Sequence, residues 1–594
     1  MNPFAERLSA VRSSMLQKGL DIIVVPLSDP HLGEYVPDHW QIIRWLTGFT
    51  GSAATVVITG TFAGLWTDSR YFIQARRQLA GSGYQFVKPG AYQRNDYMDF
   101  LAENAGSQDT IGIDGRIFSV SNFRRLSKRL EGTKSKIETD LTIIDEIWSD
   151  RPELPFSTAF DHALEYSGKD RQVKIDEVRE QMEKLNAAYH LLTSPDDIMW
   201  LLNIRGSDLK YSPLLLSYAL VGSDQVLLFI DEGKIPYRLA SSFDKIGIVI
   251  LPYEDTVEIV TSVTTGSSVL MNPQSVSVSL YNSLSLNSRI IEDITIPTRL
   301  KAIKNRTETE NLYRVMVKDG TALTKFFHWF ETNHGKIRIT EKSLSDKLFE
   351  LRSDQKDFYG LPFATIAAWN ENSALPHYGR GEEDEGSEIG ERGILLIDSG
   401  GHYPGGTTDI TRTISVGIPS DQQKKDFTLI LKGHINLALA KFPNGTRGYQ
   451  LDFIARRAMW GSGLNYAHGT GHGVGYFLNV HEGPQSISPA DNKTYIEAGM
   501  LTSNEPALYR EGEYGIRTEN LILCYEDEET EFGKFLRFET ISLCYIEKAL
   551  IDKSLLDQNE IDWLNSYHLD VYDKLSPHLS DEEKTWLREK TSLL

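Results

Sequence analysis

Two aspartates, Asp398 and Asp409, flank a glycine-rich connection in ILLIDSGGHYPGGTTDITRT (394–413). Two glutamates, Glu505 and Glu519, stand symmetrically about Gly512 in NEPALYREGEYGIRTEN (504–520). Between these stretches lies HGTGHGVG (468–475), where His472 offers a neutral ring nitrogen and the glycines let the backbone crowd it. Carboxylate oxygens with one imidazole form a ligand set for hard and borderline divalent cations. Asp398, Asp409, His472, Glu505 and Glu519 are enough for two such ions sharing bridging carboxylates. Oxygen ligands favour manganese or magnesium over metals that prefer thiolates, and the single imidazole tilts the choice to manganese, with cobalt and zinc as alternatives. A paired-metal site with open positions generates hydroxide at neutral pH, so the chemistry it suits is hydrolysis.

The elements that must position these groups are two hairpins. Residues 394–397 are a short apolar β-run and 408–414 alternate, so the four glycines between them predict an antiparallel turn. If the hairpin is regular, Asp398 and Asp409 are cross-strand neighbours with Cβ atoms about 4.5–5.5 Å apart. Two carboxylates that close raise one another's pKa unless a cation lies between them. Strand-like sequence on both sides of Gly512 predicts a second hairpin that pairs Glu505 with Glu519. Taken singly, an Asp beside a glycine turn is usually a turn former and a Glu before proline a surface residue. Two symmetric acidic hairpins around a His-Gly cluster carry the metal reading.

The ordered set LPHY (375–378), DSGGHYPGGTTDITRT (398–413), HGTGHGVG (468–475), NVHEGP (479–484), NEPALY (504–509) and IRTEN (516–520) resembles aminopeptidase P, the Xaa-Pro aminopeptidase family of pita-bread metallopeptidases, in its long, three-domain, cytosolic form. The resemblance runs over nearly the whole chain. It implies that Asp398 chelates one metal, that His472 and Glu505 bind the other, and that Asp409 and Glu519 bridge both. A bridging hydroxide would attack the scissile carbonyl, with Glu505 handling its proton. His377, His468 and His481 match the family's catalytic histidines; the first and last are expected to hydrogen-bond substrate and its oxyanion, and His468 to wall the proline subsite. Tyr509 and Arg517 match positions behind the ligands or in the proline pocket. Arg517, two residues before Glu519, shares its face and suits the site's excess negative charge. The implied substrates are peptides with proline in second position, and the implied assembly is a homodimer. A prolidase, restricted to dipeptides, and a non-catalytic pita-bread module that binds peptides or proteins are the alternatives. The first is disfavoured by a duplicated N-terminal portion and the second by the filled ligand positions.

A chain of 594 residues exceeds one hydrophobic core and suggests about three domains. Alternating strands and helices place the first part in the α/β class. Trp45 precedes Ser52 by seven residues in a strand, Trp-Leu, Gly-Ser order, and Trp200 precedes Ser207 by the same seven, so the module is repeated. Trp45 and Trp200 are read as core aromatics and Arg205 as a solvated arginine. The resulting architecture, α/β followed by α+β, is a creatinase-like domain over 1–150, a second over 151–298, and a pita-bread catalytic domain with a helical extension over 299–594. A two-proline polar run at 149–156 links the first two, and a capping-box pattern at Thr307 and Glu310 opens a long amphipathic helix in the third. The net charge of −20 argues against nucleic acid and anionic membrane as partners. Two cysteines, Cys524 and Cys544, exclude a disulfide framework and point to a reducing compartment. The N-terminus lacks an apolar core of signal length and no run approaches 18 apolar residues, so cytoplasm is the expected location. The acidic run at 382–385 reads as a solvated loop.

Overall fold

The computed structural model describes residues 2–68, 71–88, 96–379 and 384–594. Part of the acidic run, Glu382 and Glu383, lies outside the described residues. The chain forms two compact units, one of Met1–His162 with Lys169–Pro297 and one of Ala163–Gly168 with Thr298–Leu594.

The first unit contains two six-stranded sheets. The first is built from strands Ile22–Pro26, Thr55–Thr59, Ala63–Trp66, Gln85–Val87, Thr110–Ile113 and Lys136–Glu138, and the second from Tyr189–Leu192, Tyr218–Val221, Val226–Phe229, Ile248–Leu251, Ser268–Met271 and Arg289–Glu292. In each sheet the spatial order is fourth, third, second, first, fifth, sixth. The sense of pairing also matches: first with second and second with third antiparallel, third with fourth, first with fifth and fifth with sixth parallel. The repeat seen in the sequence is thus a repeat of topology. The apolar central strands Ile22–Pro26 and Tyr218–Val221 are buried along nearly their whole length, as sheets covered on both faces require.

The aromatics at the repeat positions are structural in different ways. Trp45 stacks on Trp148 at 5.0 Å between centroids, with the Arg7 guanidinium 4.7 Å from its ring. Trp200 lies under the Lys174 ammonium at 4.4 Å, and Arg205, expected in solvent, is instead buried, because the carbonyls of Met199 and Ile204 accept from its guanidinium. Residues 151–159 form no regular structure, and Arg151 lies 4.4 Å from the Trp40 ring.

The long helix of the second unit is α1 (Arg306–Asn333), whose Leu312, Val315, Leu323, Phe326, Phe327 and Phe330 are all buried. Its capping box is formed by Asn305 and Glu308, not by Thr307 and Glu310. The Asn305 side chain accepts from Glu308 N (3.0 Å) and Glu308 accepts from Asn305 N (2.9 Å), so the better-placed Asn takes the N-cap two residues earlier. Then follow α2 (Glu341–Ser353), β1 (Ile366–Trp369), β2 (Gly393–Ser399), β3 (Ile410–Val416), α3 (Asp421–Ala438), α4 (Gly448–Trp460), β4 (Leu501–Asn504), β5 (Ala507–Arg510), β6 (Tyr514–Arg517), β7 (Asn520–Thr530) and β8 (Gly533–Thr540). The helices α5 (Gln558–Leu575) and α6 (Asp581–Lys590) close the chain, the latter with the capping box of Ser580 and Glu583. β1, β2 and β3 form one antiparallel sheet in that order, and Lys441–Pro443, β8, β7 and β4 form another. Both cysteines are buried free thiols, Cys524 in β7 and Cys544 beyond β8.

Helices α3 and α4 cross closely at Gly433, where a Cβ would lie 2.1 Å from the Ala455 carbonyl oxygen. Backbone cannot yield there as a side-chain tip would. Gly433→Ala is expected to cost about 1–3 kcal/mol, read as a lowered denaturation midpoint at constant m-value. An unchanged midpoint would show that the helices slide apart freely.

Candidate metal centre

Strands β2 and β3 pair with Asp398 opposite Thr411, so Asp398 and Asp409 are not directly opposed as a regular hairpin would have them. Asp409 lies one residue before β3, two register steps away, a diagonal position still within reach. The ladder is interrupted because Gly400 runs against the other strand: a Cβ there would lie 2.1 Å from the Thr408 carbonyl oxygen. Thr408 bridges the gap, its hydroxyl accepting from Gly401 N at 2.8 Å and its own N–H donating to Gly401 O at 2.9 Å. Pairing then resumes in the same register at His402 and Thr407. The carboxylate oxygens of Asp398, Asp409 and Glu519 lie within 4.8 Å of one another.

The second hairpin follows the symmetry of the sequence. The β5–β6 ladder pairs Ala507 with Arg517, and the β4–β7 ladder pairs Asn504 with Asn520. One register therefore spans both and sets Glu505 against Glu519. The ladder pauses between them because Pro506 has no N–H to give. The freed amides turn to other segments: Glu505 N donates to Thr470 O (2.8 Å) and Glu519 N to Thr411 O (3.1 Å). Both carboxylates thus sit where strand pairing breaks and neighbouring chain segments converge.

His472 completes the cluster. Its Nδ1 faces the Gly473 carbonyl at 3.0 Å and must carry a proton, which leaves Nε2 toward Asp409 Oδ2 and Glu505 Oε1, each 3.5 Å away. Ser503 links the residues from behind: its hydroxyl accepts from His472 N (2.9 Å) and donates to Glu505 Oε1 (3.2 Å). The glycines beside it serve close approach, since a Cβ at Gly471 would lie 1.9 Å from Ser503 O and one at Gly473 2.1 Å from Glu482 O. His481 stands edge-on to His472 with centroids 4.4 Å apart, and Asp409, His472 and His481 bring ligand atoms within 4.8 Å.

Arg517 ties the first aspartate to the histidines. Its guanidinium bonds Asp398 Oδ2, donates to the Tyr509 hydroxyl (2.7 Å) and to Thr411 Oγ1 (3.0 Å), and reaches Pro376 O at 3.5 Å. Tyr509 in turn lies 3.0 Å from His468 Nε2. Because His468 Nδ1 faces the Gly469 carbonyl (2.7 Å), it is the protonated nitrogen, Nε2 accepts from Tyr509, and the ring is neutral. Burial lowers the His468 pKa, in keeping with that state. His377 is half-buried on the segment after the helical turn Asn370–Ala374, next to the Pro376 carbonyl that meets Arg517.

Two contributors were not among the expected site residues. Thr411 donates to Glu519 Oε2 at 2.6 Å while accepting from Arg517. Its place two residues after Asp409 on a strand was the available signal. Glu341, fully buried on α2, accepts from Trp369 N (2.7 Å), Asn372 Nδ2 (3.0 Å), the Tyr378 hydroxyl (2.8 Å) and Ser387 N (2.8 Å), clamping both sides of the His377 segment. Nothing in the local sequence marks it.

The residues suit divalent cations on physical grounds. Asp398 Oδ1 is buried without a hydrogen-bond partner, the other oxygens crowd together, and the donor set is oxygen with imidazole nitrogen. Broken antiparallel ladders backed by helices and converging on such a cluster define a metallohydrolase of the pita-bread class. The model for metallopeptidase family M24 matches residues 310–526 and that for its C-terminal region 534–594. The creatinase/prolidase N-terminal domain matches twice, at 7–145 and 150–308. A probable Xaa-Pro aminopeptidase P of Laccaria bicolor is 39% identical over 99% of this chain and 93% of its own length, and Xaa-Pro aminopeptidase 1 of Dictyostelium discoideum is 36% identical over 99% and 96%. The crystal structure of X-prolyl aminopeptidase from Caenorhabditis elegans, a cytosolic enzyme with a di-nuclear active site, superposes with a TM-score of 0.94 at 34% identity, covering 100% of both chains. Prolidase from Pyrococcus horikoshii shares the fold over 63% of this chain and 99% of its own at 22% identity, TM-score 0.50. The chain belongs to the Xaa-Pro aminopeptidase P family of M24 metallopeptidases.

Without a cation the cluster is a proton store. Burial raises Asp398 to about 6, against the pull of Arg517, and raises Glu519 well above the carboxylate range, with Asp409 adding to it. For His472 burial acts downward, but Asp409 and Glu505 outweigh it and hold the pKa at about 9. Raised carboxyl pKa values destabilise the metal-free fold as pH rises from the ordinary 3.8 to about 6 for Asp398, whereas the His472 contribution is present below 6.5 and is lost through about 9. Binding a cation must expel these protons. Calorimetry of metal binding in buffers of different ionisation enthalpy is expected to show net proton release near pH 7, growing as pH falls toward 6. Binding without proton release would contradict the proton store.

Proposed function

We propose that this chain acts as a metal-dependent Xaa-Pro aminopeptidase, releasing the first residue of a peptide whose second residue is proline. The observation that carries it is the convergence of Asp398, Asp409, His472, Glu505 and Glu519 in a chain related along its whole length to Xaa-Pro aminopeptidases. These five residues would hold two divalent cations, Asp409 and Glu519 between them, with manganese favoured by the oxygen-rich set. When bound, such ions polarise a peptide carbonyl and acidify a water molecule.

The chain's own groups supply the rest. Glu505, its Oε1 fixed by Ser503, takes and returns a proton. His481, beside His472, and His377 donate to the substrate carbonyl as negative charge develops on its oxygen. His468, neutral and capped by Tyr509, presents a ring wall to the proline, while Arg517 fixes Tyr509 and Asp398 together. The carboxylate excess attracts a peptide's terminal ammonium, which suits an exopeptidase.

The duplicated N-terminal module separates this chain from prolidase, whose likeness covers 63% of it. No helix among the described residues is long and apolar enough to cross a membrane, and we place the protein in the cytoplasm, with neither nucleic acid nor membrane as partner. It acts as a homodimer. Support for an assembly surface comes from the exposed aromatic stripe of Tyr449, Phe453 and Trp460 on α4. Sedimentation is expected to give a dimer that Phe453→Asp weakens, and a monomeric wild-type protein would exclude it.

Metal-stripped protein with added manganese should release arginine from Arg-Pro-Pro and little from Arg-Ala-Ala. Preference for Arg-Pro would make it a prolidase, and silence on all three would favour a binding module. Glu505→Gln is expected to lower kcat by more than about tenfold, a barrier rise above roughly 1.4 kcal/mol, with the fold retained by thermal melting. A smaller loss would remove Glu505 from its role as base.

A further inference from the structure

The segment carrying His468 and His472 is held from behind by one ion pair on α4. Asp452 and Arg456, one turn apart and both buried, pair through Arg456 Nε and Asp452 Oδ2 at 2.6 Å. Three further donors of Arg456 go to the site segment: to Tyr466 O at 2.7 Å, Asn465 Oδ1 at 3.2 Å and His468 O at 2.6 Å, with the guanidinium 3.8 Å from the Tyr466 ring centre. The other oxygen of Asp452 accepts from Thr470 Oγ1 at 2.6 Å, and the Tyr466 hydroxyl meets that same Oγ1 at 2.5 Å. Thr470 O receives the Glu505 amide at 2.8 Å. One pair therefore fixes the backbone on both sides of His468 and, through Thr470, the backbone of Glu505.

A buried guanidinium needs partners wherever it lies, and a helix-internal pair could be mere core. What distinguishes this one is the address of its bonds. Four residues of one irregular stretch, 465–470, are read by two side chains of a regular helix. A planar five-donor group is what such multiple addressing requires, and a lysine cannot reproduce it.

We propose that Asp452 and Arg456 are positioning residues that set the His468 ring against Tyr509 and so shape the proline subsite; this rests on the Xaa-Pro reading above. Because the pair is neutral overall, removing its geometry alters where His468 stands, not the charge at the cations. The signature of misplacement is selectivity: a wall that moves by a fraction of an ångström loses its preference for proline, while a chain that is only less stable loses active molecules in proportion on every substrate.

The test compares full-length Arg456→Lys and, as a control for loss of a buried arginine belonging to the first unit, Arg205→Lys. Measurements are manganese content, kcat and KM on Arg-Pro-Pro and Arg-Ala-Ala, and hydrogen exchange of peptides spanning 465–472. Arg456→Lys is expected to retain its manganese, to raise KM for Arg-Pro-Pro and to lower the proline-over-alanine ratio, each on the order of tenfold, and to speed exchange over 465–472; Arg205→Lys should do none of these. Unchanged KM and selectivity with reduced kcat, or activity restored in full by excess manganese, would overturn the proposal. Should Arg456→Lys fail to fold, Thr470→Val removes the far arm, with the Tyr466 contact made through the same hydroxyl, and must still lower selectivity. If the wild-type protein cleaves no Xaa-Pro peptide, the functional reading fails, and the exchange measurement alone decides whether the pair holds the segment.

Discussion

Mutual repulsion of buried carboxylates is the constraint to which the catalytic unit answers. Asp398, Asp409 and Glu519 hold oxygens within 4.8 Å of one another, with Glu505 beside them. At that separation each like-charged pair costs about 3–4 kcal/mol at an effective dielectric near 20. Arg517 offsets part of this for Asp398, Thr411 donates to Glu519, and the protons held by Glu519 and His472 offset more. None of these satisfies Asp398 Oδ1. A fold that was only optimising its own stability would not assemble this cluster; cations make it consistent.

The backbone solves a matching problem. Four carboxylates cannot converge from continuous strands, because a ladder fixes neighbours at regular spacing and side chains alternate between faces. Both hairpins therefore pause, one at Gly400 against Thr408 and one at Pro506. Each pause frees amides that would be unsatisfied in a buried place. The two glutamate amides find acceptors in Thr470 and Thr411, which belong to the segments carrying His472 and Asp409. The hydrogen bonds displaced from the ladders thus become the links that bring the ligand segments together.

The same reasoning says what the sequence could reveal. Glu505 and Glu519 were legible because one register runs through two ladders, so symmetry about Gly512 survived folding. The offset of Asp398 from Asp409 was not, because it depends on a backbone collision at Gly400 that residue types alone do not specify. Periodicity located the core face of α1 but not its first residue, since Asn305 and Thr307 each stand three before a Glu. Arg456, Asp452 and Glu341 were invisible for a different reason: their partners are fixed by tertiary contact, and an Arg four residues after an Asp on a helix ordinarily reads as a surface pair. The strand order of the two N-terminal sheets was readable only as a repeat of spacing, because pairing of distant strands leaves little local mark.

Two buried carboxylates show how structure separates support from function where sequence does not. Glu341 accepts from a backbone amide on one side of the His377 segment, from another beyond it, and from Asn372 and Tyr378 between them; its hydrogen-bonding capacity is filled. Asp398 is half satisfied, by a single guanidinium, with its second oxygen buried and unpartnered. Both are single acidic residues withdrawn from solvent, Glu341 completely and Asp398 down to a side-chain exposure of 13%, and burial alone does not assign their roles. The saturated one can only hold its neighbours still, since no lone pair remains for anything else. The unsaturated one has a coordination site to give, and it faces the other carboxylates. Functional assignment in this fold therefore follows from where hydrogen bonding is left incomplete, and the saturated residues around it explain why the incomplete ones stay in place.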